Sequence, residues 1–281
     1  MATASTRRRY RRRLTLRERS SALALLAGLL AGCAPKAPAL PSGAGAPFPE
    51  FASAYQDATS ACSGVKTLTA SMGMSGKAGN TKLRGRIDAG FAAPARARLE
   101  GVPPLFGKPV FVLVADGGSA TLVLTRDDRV LRDAAPDQIV EALAGVALGP
   151  DALRTAVAGC GFGGTPSNGR VFPNGWVATS SDDTTTYLRP QGSRWEIAAA
   201  ERGAITILYA DYTNGRPLTI RVRGTSAGRT TADLTLRLSD VDINTTLDPR
   251  TFDITSDLPQ HPIPLTLDEL RRAGPMGGAS P

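Results

Sequence analysis

The chain has 281 residues and a formal net charge of +8, from 33 basic and 25 acidic side chains, with one histidine and 3 cysteines. Eight of the basic residues and one of the acidic ones precede Cys33, which leaves 25 against 24 beyond it. The basicity is a property of the first segment, so it gives nucleic-acid binding no support, and one histidine with no Cys-x-x-Cys excludes an ordinary zinc site or a dithiol redox motif.

In the first segment Arg7, Arg8, Arg9, Arg11, Arg12, Arg13, Arg17 and Arg19 precede an apolar run from Ala22 to Ala31, which ends in Leu30-Ala31-Gly32-Cys33. A basic stretch, a short apolar run and small residues before a cleavage point form a signal peptide, and the run is well short of the roughly 20 residues that span a bilayer. Leu-Ala-Gly-Cys resembles the bacterial lipobox, which implies that residues 1–32 are removed and that Cys33 carries a diacylglycerol. The resemblance places the chain in the cell envelope, held to a membrane by lipid.

Residues 33–48 are rich in Pro, Ala and Gly without hydrophobic period, as expected of an extended tether. The same composition returns over 273–281, expected to be a disordered tail, so one folded domain is predicted over 49–272. It opens with a helix in which Phe51, Tyr55, Ala58 and Cys62 share a face. The period then changes to two: Leu68, Ala70, Met72 and Met74 alternate with polar or small residues, as do Ile87, Ala89 and Phe91, and Leu99 continues the pattern. Val110 to Ala115 is a continuous apolar run, Asp116-Gly117-Gly118 a hairpin turn, and Thr121 to Thr125 its return.

Two helices follow, at Asp137–Leu143 and Asp151–Ala158, the second started by Pro150. Strands resume at Trp176–Ser180, Thr184–Leu188, Arg194–Ala199, Ile205–Tyr209, Leu218–Val222 and Asp233–Leu238. The sum is an α+β chain built on a strongly curved antiparallel sheet of about 11 strands.

The order helix, meander, two helices, second meander resembles the LolA/LolB family of periplasmic lipoprotein carriers and outer-membrane lipoprotein receptors. The motifs behind the resemblance are the lipobox, the Ala115-Asp116-Gly117 turn and the closing Leu247-Asp248-Pro249-Arg250-Thr251-Phe252, similar to that family's Leu-Asp-Pro-x-x-Phe. It implies an unclosed β-barrel with the N-terminal and mid-chain helices as a lid, an apolar cavity for acyl chains, no cofactor, and a place at the outer membrane facing the periplasm. The candidate acyl-binding residues are then Leu68, Met72, Met74, Ile87, Phe91, Leu99, Val112, Val114, Trp195, Ile197 and Ile207. Leu105 and Phe106, between prolines and a glycine, correspond to a loop that would insert shallowly into a membrane. The partners implied are the membrane, the acyl chains of lipoproteins or lipids, and a periplasmic carrier protein.

Other readings remain. A scaffold lipoprotein that binds protein partners would have a filled core where a carrier has a hollow. Gly224-Thr225-Ser226-Ala227-Gly228, with Asp253 and His261 downstream, has the order of an esterase triad, but the sequence beyond it is β-rich where a nucleophile elbow requires a helix. No enzyme is expected. Asp182-Asp183 and Asp240 with Asp242 read as turn residues. Cys62 and Cys160, each at the inward face of a helix end and in an oxidising compartment, are expected to form a disulfide.

Overall fold

A computed structural model describes residues 39–103 and 108–275. The lipidation position Cys33 and the loop residues Leu105 and Phe106 lie outside the described residues. From Leu40 onward the chain is one compact unit. Its strands and core side chains all fall between Ala46 and Leu270, so it carries its own core and can be produced by itself.

The sheet has 15 strands in a single order. The first meander is β2 (Thr67–Ala78), β3 (Thr81–Ala92), β4 (Arg96–Val102), β5 (Phe111–Asp116), β6 (Ser119–Leu124) and β7 (Arg129–Ala134). The second is β8 (Asn168–Val171), β9 (Val177–Ser181), β10 (Thr184–Gln191), β11 (Arg194–Arg202), β12 (Ile205–Thr213), β13 (Arg216–Ser226) and β14 (Arg229–Ile243). β14 joins the two meanders by pairing antiparallel with β2. The far edges are β1 (Ala46–Pro47) on β8 and β15 (Ile263–Pro264), parallel to β7, and they do not pair with each other. The barrel is therefore unclosed, as the sequence led us to expect, but with 15 strands and not 11. The four additional ones are β1, β7, β8 and β15, two of them only two residues long. Ala46–Pro47, given to the tether on composition, are part of the sheet.

Helix α1 spans Phe51–Thr59, α2 Pro136–Ala144, α3 Pro150–Ala158 and α4 Leu267–Ala273. Both mid-chain helices begin at a proline, whose missing N–H is one the first turn leaves unpaired anyway. Each is capped by a left-handed glycine, Gly145 at φ 76° and Gly159 at φ 95°. α1 packs on β8–β11, α2 on β6, and α3 on β3, β4 and β13. All three thus lie against one face of the sheet, and α4 packs against α2.

Two glycines leave room that neighbouring groups occupy. Gly76 sits at φ +143°, and a Cβ there would fall 2.1 Å from the Asp233 carbonyl oxygen, so only glycine lets β2 and β14 approach this closely. At Gly101 a Cβ would lie 2.2 Å from the Phe111 ring, which occupies the space the missing side chain leaves.

Candidate functional site

The face beneath the helices is apolar across most of the sheet. Register places Leu68, Met72 and Met74 of β2 beside Phe91, Ile87 and Gly85 of β3, with Leu99 of β4 opposite Ala89 and Leu113 of β5 opposite Leu99. On the other half Leu234 of β14, Val222 of β13 and Ile207 of β12 are successive cross-strand neighbours. Leu68, Met72, Met74, Phe91, Leu99, Ile197 and Ile207 are all buried in one cluster with the lid helices, and Ile87 and Trp195 pack against it half-buried. Leu68, Phe91 and Ile207 have 0% of their surface accessible, so no water-sized hollow adjoins these side chains.

Two of the expected residues point elsewhere. Val112 and Val114 alternate with Leu113, so the register that turns Leu113 inward turns them to the opposite, outer face. They are buried all the same, Val112 opposite Val123 and Val123 opposite Val130, in an apolar patch outside the main cluster. The turn over residues 249–252 packs on β4 and β5 and covers that side. It is held by the Asp248 carboxylate, which accepts from the Arg250 N–H at 2.9 Å, while Phe252 lies under the Arg96 guanidinium and Arg98 pairs with Asp257 at 2.9 Å. The Leu-Asp-Pro-x-x-Phe stretch is thus a strap on the back of the sheet.

Trp195 stands at the flank, against Phe48 with ring centroids 6.1 Å apart, and its backbone N–H donates to Asp57 of α1 at 2.6 Å. It anchors α1 to β11.

Beyond this anchor, the lid is fastened at three further points. Cys62, just past α1, and Cys160, just past α3, form the expected disulfide, with Cα atoms 5.6 Å apart. Arg154 of α3 donates to the carbonyl of Val65, which precedes β2. The third point is Tyr209 on β12, which sequence reasoning passed over. Its hydroxyl donates to the Ala156 carbonyl at 2.8 Å and accepts from the Gly161 N–H at 3.0 Å, so one phenol satisfies both backbone groups at the end of α3. Burial pushes its ionisation well above the ordinary tyrosine value. Its place two residues after Ile207 on the alternating pattern was the only available signal.

Gly224–Ser226 end β13, with Ser226 paired to Arg229, and Ala227 and Gly228, both at positive φ, make the turn into β14. Asp182 and Asp240, at φ 42° and 50°, occupy a hairpin turn and a bulge. Among the described residues no group of three or more His, Cys, Asp or Glu could hold a metal ion, and no helix is long and apolar enough to cross a membrane.

The arrangement is matched in solved structures. A LolA superfamily protein from Nitrosomonas europaea aligns over 71% of this chain and 96% of its own, with a TM-score of 0.50 and 12% sequence identity. This is a LolA-like fold. A DUF1329 family protein from Desulfovibrio piger aligns over 74% of this chain and 98% of its own, with a TM-score of 0.47 and 10% identity. The lipoprotein LppX of Mycobacterium tuberculosis aligns over 71% and 98%, with a TM-score of 0.31 and 13% identity. No family model and no curated protein matches the sequence. At 12% identity the likeness to the Nitrosomonas europaea protein establishes the LolA-like fold alone, and the cargo has to be argued from the residues.

Proposed function

We propose that the chain is an envelope lipoprotein, anchored through Cys33 to the outer membrane, that takes acyl chains between the apolar face of its sheet and its helical lid. The observation that carries this is the lid itself. An apolar face running from β5 through β2 to β12 is covered by three helices of nine residues each, fastened by one disulfide, one arginine and one tyrosine. Such a cover can lift as a unit, and Met72 and Met74 beneath it are side chains that repack readily around a flexible chain. The role would be lipoprotein or lipid localisation, receiving cargo from a periplasmic carrier protein, with no cofactor and no catalytic step.

Direct contact between sheet and lid favours a second reading, a scaffold whose core stays filled. Saturable binding of a fluorescent fatty-acyl probe decides between them. We expect stoichiometric binding that strengthens when Cys62–Cys160 is reduced and weakens about tenfold in Met72→Gln, in keeping with loss of a few apolar contacts. No saturable binding in either redox state would leave the scaffold. For the anchor, Cys33→Ala should release the chain from membranes, and protein that still pellets with them would overturn the lipid attachment.

A further inference from the structure

The outer face of β3, away from the lid, carries Lys82, Arg84 and Arg86 in succession, with Leu83 turned inward to pack. Opposite them on β2 stand Lys77, Ser75 and Gly73. Lys77 and Lys82 are thus directly paired like charges, and on its other side Lys77 stands opposite Asp233 of β14, whose carboxylate is held by Arg221. On its other side Gly73 faces Arg237 of β14. Two guanidinium groups therefore rise on either side of a position with no side chain, two strand spacings or about 9–10 Å apart at the backbone. A Cβ built on Gly73 would meet nothing nearer than the Arg237 carbonyl at 3.8 Å, so the floor between them is open. The resulting cleft has a volume of about 380 Å³ and is lined by Gly73, Ser75, Arg84, Arg86, Pro103 and Arg237.

Pro103 closes the cleft at the end of β4, where it has no N–H to continue the ladder on β3. Among the described residues Arg84 and Arg237 have no carboxylate within 4.0 Å, and Arg86 shares its guanidinium with Asp88 at 3.0 Å. Nothing in the packing of the sheet requires this concentration of charge, because Leu83, Ile87, Leu236 and Leu238 on the other face make the core contacts.

We propose that this cleft binds a phosphate group, supplied by the headgroup of an anionic phospholipid at a bilayer surface. Guanidinium forks grip a tetrahedral oxyanion through paired N–H donors, and two such forks across a bare floor seat one between them. Lys77 and Lys82 extend the same charge to the tip of the β2–β3 hairpin. A bilayer is the source we favour because the cations sit in a row on the exposed outer face of the sheet, which several headgroups can meet at once.

The test uses the unit from Leu40 onward, oxidised, without the lipid anchor. It is mixed with phosphatidylcholine vesicles with and without phosphatidylglycerol and, separately, titrated with glycerol phosphate while the backbone amides are followed by NMR. Binding should require phosphatidylglycerol and weaken about 25-fold in Arg86→Gln/Arg237→Gln, since each arginine at a membrane surface contributes about fivefold. Lys66→Gln/Arg132→Gln, with the same change in charge at two exposed positions outside the cleft, should bind as the parent does. Glycerol phosphate should shift the amides of Gly73 and Ser75 saturably. Equal weakening in both double variants, or no vesicle binding together with no amide shift, would overturn the site. Amide shifts without vesicle binding would keep the phosphate site but overturn the bilayer as its source. The arginine variants should leave acyl-probe binding unchanged, so this site and the acyl cavity stand or fall separately.

Discussion

β2 and β5 are both strands of the first meander, yet their sequences obey different rules. Along β2 the buried residues are Leu68, Ala70, Met72, Met74 and Ala78, the first four alternating with Thr67, Thr69, Ser71 and Gly73, whereas every residue of β5 from Phe111 to Ala115 is buried. β2 has a lid on one face and solvent on the other. β5 has the core on one face and the C-terminal strap on the other. A continuous apolar run in an antiparallel sheet therefore announces a second cover, as it does for strands buried on both sides in general. Its outer valines belong to the strap, and only its inner residues belong to the core.

The largest test of this two-sided picture is the lid. Opening the Cys62–Cys160 bond, which spans 98 residues of sequence, removes about 4.7 kcal/mol in the chain-entropy model for a loop of that size. Cys160→Ser should lower the denaturant midpoint accordingly, and a loss under about 1 kcal/mol would mean that α1 and α3 are held by packing alone.

Next comes the contrast within β5. Leu113→Ala, in the main core, is expected to cost about 2–5 kcal/mol, and Val114→Ala, in the outer patch, about 1–2 kcal/mol. Urea titrations of the two compare them directly. A Val114 variant indistinguishable from the parent would show that the strap covers the patch without packing on it.

Tyr209→Phe ranks third. It leaves the Gly161 N–H buried without a partner, at about 1–3 kcal/mol, while the Ala156 carbonyl keeps its bond from the Gly159 N–H. It should also change the alkaline limb. Burial raises the phenols of Tyr209, Tyr212 and Tyr187 above the ordinary tyrosine value of 10.0, so below pH 10.0 both folded and unfolded chains keep these protons and stability is constant. Above it the unfolded chain releases them first and stability falls. Tyr209→Phe should be less stable at pH 8 but lose less between pH 9 and 11; parallel curves would mean that Tyr209 ionises freely in the fold.

How far the sequence speaks depends on which forces write it. Periodicity marked the helices at Pro136 and Pro150 and the alternation of β2, β3 and β4, because one-sided burial imprints a period. It failed at Val112 and Val114, since a strand covered on both sides has no period to show which side is which. β8, Asn168-Gly-Arg-Val, is too short to show one, and Gly169 is there because Phe51 leaves no room for a Cβ. α4 was legible and missed: Thr266 and Glu269 form a capping box directly ahead of Leu267 and Leu270. Tyr209 was not legible, because the backbone groups it satisfies are 53 and 48 residues away.

The smallest effect is expected on the uncovered outer face. Asp233 of β14 receives two hydrogen bonds from Arg221, both at 2.6 Å, and its carboxyl is held below the ordinary value, first by those bonds. A carboxyl with a lowered folded value stabilises at neutral pH, and that contribution is lost as pH falls from 3.8 through the folded value. Yet the two side chains are 34% and 35% exposed, so water and salt screen them and the pair is worth under about 1 kcal/mol. Asp233→Asn should therefore be milder than Tyr209→Phe despite breaking bonds of better geometry, and high salt should shrink its effect further. Melting curves of the two variants at neutral pH, with and without salt, put the ranking to the test. If the exposed ion pair proved the costlier loss, burial would not be what separates the lidded face from the open one.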